Sequence, residues 1–174
     1  MIDVSIRRQT LQGDDTLLKD LAFVRRMHNT LRLTCPEPGT PEGHFVNENT
    51  VVRLAAMMEI PELKLRDGPR RPRCVPKEQR EAWRKEAFGA MLPAEKAVRV
   101  LFLFRHLILH AAGVLRLDGR RGKWEEWSYD WFCDQHGDAR VREGEELRLP
   151  ADAVITPIID ACEEYVRQHQ CSSE

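Results

Sequence analysis

At 174 residues, 42% hydrophobic and 32% charged with a net charge of −1, the chain is too apolar for a disordered polymer and too balanced to bind polyanions over its whole surface. Its length suits one domain over residues 1–174, burying roughly two-thirds of the surface its unfolded form exposes. The odd count of five cysteines with no CxxC pair, the lack of an apolar run near the roughly 20 residues of a membrane span, and an N-terminus without a leader's apolar stretch predict a reducing, cytoplasmic location away from membranes.

The first predicted element follows Asp14 and Asp15, where Leu17, Leu18, Leu21, Phe23, Val24, Met27 and Leu31 give spacing that suits an amphipathic helix. It should stop before Cys35-Pro36-Glu37-Pro38-Gly39, since two prolines and a glycine punctuate the chain there. A second helix is expected from Asn47 to Thr50, whose polar side chains suit a cap, carrying Val51, Val52, Leu54, Ala55 and Met58 inward and ending at Pro61. Asp67 to Arg73 reads as a loop, followed by a short helix from Lys77 to Met91 anchored by Trp83 and Phe88. Pro93 then suits a helix start, Ala94 to Ala112 is the most apolar helix, and Gly113 is its terminator. Residues 118–149 read as a polar loop or small hairpin insert. The closing helix runs from Pro150 or Ala151 to Arg167 and should bury Val154, Ile155, Ile158, Ile159, Cys162 and Val166. The sum is a mostly all-α fold, an irregular bundle of four or five helices.

Charge is distributed unevenly along this frame. Lys64 to Lys85 carries nine bases and three acids, while Trp124 to Glu174 carries thirteen acids and four bases. A basic strip in an otherwise acidic chain suits local phosphate contact, with Arg70, Arg71 and Arg73 as the candidate RNA-binding residues. A solvated connection is the plain alternative.

The apolar helix carries most of the chemical information. At about 100° per residue, Val100, Leu103, Phe104, Leu107, Ile108 and Ala111 share one face. Glu95, Arg99, Arg105, His106 and His110 share the remaining arc. Polar groups on a helix this apolar need partners or a purpose. An ordinary Glu95–Arg99 pair and two solvated histidines would satisfy the simplest reading. His106 and His110, at i,i+4, would also suit zinc, although no HExxH pattern is present and Glu95 is the nearest acid along the helix.

Arg105-x4-His110, late in an apolar helix and followed by Gly113, resembles the RxxxxH motif of the HEPN family of RNA-cleaving and nucleotide-associated domains. The resemblance covers roughly residues 93–170, with His106 standing where Asn or Asp is common in the family. It implies a metal-independent, cofactor-free endoribonuclease, a toxin or defence effector in which an RNA 2′-hydroxyl attacks the adjacent phosphate. His110 would move the proton, Arg105 would hold the phosphate and His106 would orient either. Arg105 and His110 lie about 140° apart around the helix and about 7.5 Å apart along it, so one helix presents them poorly to one phosphate. The family's homodimer, with motif helices facing each other, would complete such a site. An antitoxin or other protein partner is the further implication, and a non-catalytic interaction or scaffold domain is the alternative.

Overall fold

The computed structural model describes residues 4–34, 40–59, 76, 79–117 and 124–171, with side chains from residue 15 to residue 169 within those ranges except 124 and 125. The described residues form six α-helices: α1 (Val4–Thr34), α2 (Pro41–Met58), α3 (Arg80–Ala90), α4 (Pro93–Ala111), α5 (Trp124–Gln135) and α6 (Thr156–Cys171). They contain no strand longer than an isolated bridge. The expected mostly α-helical bundle is what the chain forms.

The long first helix buries Leu17, Leu21, Val24 and His28, one stripe at helical spacing. Its flank is tied to the last helix by Arg25, which donates to Asp160 at 2.6 Å and Glu163 at 3.0 Å. One turn before α6, Asp152 meets Arg32 at 2.5 Å.

The second helix starts at Pro41, earlier than the Asn47–Thr50 expected from the sequence. Thr40-Pro41 supplies the true start, because the Thr40 hydroxyl accepts the Gly43 N–H at 3.2 Å and Pro41 occupies a position whose N–H is not needed. Asn47 and Thr50 turn to other partners: Asn47 donates to the Leu149 carbonyl at 2.8 Å, and Thr50 donates back to Val46 at 2.9 Å.

Helix α4 is the centre of the molecule. Pro93 opens it, and the Glu95 carboxylate accepts the Leu92 N–H at 2.9 Å. Ala94, Ala97, Val98, Val100, Leu101, Leu103, Phe104 and Leu107 are all buried, so the covered surface is wider than one apolar face. The reason is that α2, α5 and α6 all pack on this helix. The fully buried Phe104 ring meets Tyr129 and Phe132 of α5 edge-on, at 6.4 Å and 5.9 Å between centroids.

Residues 118–149 were expected to be a loop or hairpin; within this stretch α5 is a helix. Its alternation of Trp, Glu and Asp hides the signal, but Tyr129, Phe132 and Cys133 are buried together. The pairing that the sequence suggested inside the insert lies instead between its far end and the end of α4. Leu115 N–H donates to Glu145 and Leu147 N–H to Gly113, both at 2.8 Å, around the bridge Val114–Glu146. Ala151–Ile155 makes one wide π turn before α6, which buries Ile158, Ile159, Cys162, Tyr165 and Val166.

Candidate functional site

The motif residues occupy the last two turns of α4. The helix ends in a left-handed turn at Ala112 (φ 50°, ψ 39°) and Gly113 (φ 74°), where the Gly113 N–H returns to the Leu107 carbonyl at 3.0 Å. This stop places His110 in solvent at the helix end. His106, one turn back, is half-buried, and the two imidazoles lie 4.8 Å apart between centroids at 38°. The structure therefore brings these two candidates together.

Arg105 points elsewhere. Its Nη1 donates to Glu59 Oε1 at 2.8 Å, and both side chains are about 30% exposed. Glu59 caps the C-terminus of α2, so this ion pair ties the end of one helix to the C-terminal part of another. The Arg105 Nε, shielded from solvent, finds no acceptor among the described residues. Arg105 and His110 take different partners, Glu59 and His106, in keeping with their angular separation.

The other ionisable residues on the arc have a different environment. Burial draws the Arg99 guanidinium below its usual pKa, with Glu95 and Tyr165 opposing the shift. Tyr165 of α6 is itself pushed up to about 12, chiefly by burial and then by Glu95. Glu95 and Arg99 thus belong to the contact between α4 and α6, while the histidine pair emerges at the open end of the same helix.

Arg70, Arg71 and Arg73 lie outside the described residues. The described part of the basic strip is α3, where Arg80 and Arg84 are half-exposed and Lys85 is exposed. Phe88 anchors this helix in the core, beside Trp127 at 6.2 Å and beneath the Lys96 ammonium at 5.1 Å. Trp83 is only half-buried.

Sequence reasoning missed two groups beside the motif. Glu59 is the first; its only signal was an acid at the predicted end of α2. The second is His44, whose Nε2 lies 3.3 Å from Glu48 Oε1 and 3.7 Å from Glu146 Oε1. The i,i+4 spacing of His44 and Glu48 was readable, but the approach of Glu146 needed the fold. Glu48 also lies close to the motif helix's end, since a Cβ on Gly113 would come within 3.1 Å of its Oε1.

Among the described residues, no set of three or more His, Cys, Asp or Glu side chains is placed to hold a metal ion, so the histidine pair gains no third ligand there. No described helix is long and apolar enough to cross a membrane. No protein-family model, curated protein or solved structure matches the chain.

Proposed function

We propose that this protein is a metal-independent endoribonuclease, a toxin or defence effector that cleaves RNA through Arg105, His106 and His110. The His106–His110 contact at the end of a buried helix, with His110 in solvent, carries the reading. An imidazole exchanges protons near neutral pH, so His110 can take the proton of a 2′-hydroxyl or return one to the departing 5′-oxygen. The 2′-oxygen then bonds to phosphorus as the bond to the 5′-oxygen breaks, leaving a 2′,3′-cyclic phosphate and a 5′-hydroxyl. His106, in contact with His110, orients it. Arg105 offsets the charge that grows on the phosphate oxygens, a role its planar fork suits.

Two copies of the chain complete the site in this reading, Arg105 of one serving His110 of the other, because a single helix separates them. RNA is the substrate, and a protein antitoxin is a suitable regulator. The Arg105–Glu59 pair favours a second reading, a non-catalytic interaction domain in which that arginine serves the fold. End-group analysis of RNA incubated with the protein separates the two. Cyclic phosphate ends that vanish in Arg105→Ala and return incompletely in Arg105→Lys support the nuclease, whereas a folded protein that cleaves no RNA across a broad panel supports the interaction domain.

A further inference from the structure

The ion pair that holds Arg105 has features that a purely structural pair does not require. Glu59 sits at the C-cap of α2, the negative end of the helix dipole, where a cation rather than an acid would be stabilising. Its carboxylate is held there against that field by Arg105, at 2.8 Å. The guanidinium meets Glu59 through Nη1, while its Nε is shielded from solvent and has no acceptor among the described residues. Both partners are about 30% exposed, so an anion from solution can reach the pair. A carboxylate and a phosphate present similar paired oxygens to a guanidinium fork.

We infer that Glu59 gates the site: its carboxylate occupies the position on Arg105 that an RNA phosphate takes, and the substrate must displace it. The inference rests on the nuclease reading for the identity of the anion. It adds a regulatory role for a residue outside the RxxxxH motif. In the resting protein the arginine is neutralised and the exposed His110 stands without its phosphate anchor. When the backbone phosphate of a single strand exchanges with Glu59, the arginine's charge passes to the substrate.

The test uses the full chain and a fluorescently labelled 2′-O-methyl RNA oligonucleotide, which binds but lacks the attacking hydroxyl. Glu59→Gln keeps a hydrogen-bonding side chain beside Nη1 and removes the competing charge; circular dichroism checks that it folds. The variant should bind about fivefold more tightly than wild type, the scale of one charge-assisted contact, and the slope of log affinity against log salt should steepen by about 0.7. The gain should disappear when Arg105→Ala is added. Equal or weaker binding by Glu59→Gln, with wild-type protein still binding and cleaving RNA, overturns the gate and leaves the nuclease reading standing. No RNA binding by either protein overturns both.

Discussion

The left-handed stop of α4 gives a stability prediction whose sign reverses between two adjacent residues. Ala112 holds φ 50° and ψ 39°, a conformation costing an L-residue about 1–2 kcal/mol relative to the right-handed region. Ala112→Gly removes that strain but enlarges the freedom of the unfolded chain, returning about 0.5–1 kcal/mol. The net expectation is a gain of about 0.5–1 kcal/mol, or about 1–4 °C in Tm for a domain of this size. Gly113→Ala runs the other way, since its φ of 74° strains the new side chain and its Cβ would come within 3.1 Å of Glu48 Oε1. The carboxylate end can shift by a few tenths of an ångström, so backbone strain dominates and the net loss is about 1 kcal/mol. Urea unfolding followed by circular dichroism measures both, and equal m-values would confirm a shared unfolding transition. Adding Glu48→Ala should soften the Gly113→Ala loss only slightly. A destabilised Ala112→Gly protein, or a neutral Gly113→Ala, would refute the account of this helix end.

His28 predicts a pH dependence. It is 2% exposed, Thr50 spends its hydroxyl proton on Val46, and the His28 Nδ1 therefore donates to Thr50 at 3.4 Å, leaving Nε2 buried without a partner among the described residues. Burial, then Arg32, lowers its pKa, with Asp152 opposing. Below about pH 6.5 the unfolded chain takes up a proton before the folded one, so stability held above that pH declines as pH falls toward the folded pKa. Urea titrations between pH 7.5 and 5.5 should show a shallower decline in His28→Asn, and identical slopes would remove His28 from the account. For the basic strip, replacing Arg70, Arg71 and Arg73 together by Ala should weaken RNA binding and flatten its salt dependence, whereas an unchanged slope returns the strip to a solvated connection. Light scattering at tens of micromolar should report a dimer; a clean 20.2 kDa monomer would end the two-chain site.

How legible the molecule was depended on whether a residue's partner lay nearby in sequence. Pro93 and Gly113 announced α4 because caps and stops are local chemistry, and Val154 to Val166 announced α6 because its apolar period is clean. The start of α2 was misplaced, since Pro41 and Gly43 look like punctuation until Thr40 is seen capping them. Helix α5 was obscured because Trp127 and Trp131 sit among acids, and its burial arises from contact with Phe104 far earlier in the chain. At the site, the His106–His110 contact followed from i,i+4 spacing. The Arg105–Glu59 pair spans 46 positions and the His44–Glu146 approach spans more, so neither had a local signature.

The proton-transfer role of His110 can be read by comparing RNA cleavage by wild type and His110→Ala in the presence of a chelator. His110 is exposed at a helix end, so its loss should leave the circular dichroism spectrum unchanged. Wild type should cleave RNA with the chelator present, and the variant should be slower by about 10²- to 10⁴-fold. Cleavage that persists at the wild-type rate in His110→Ala, or wild-type cleavage that the chelator abolishes and zinc restores, would contradict that role.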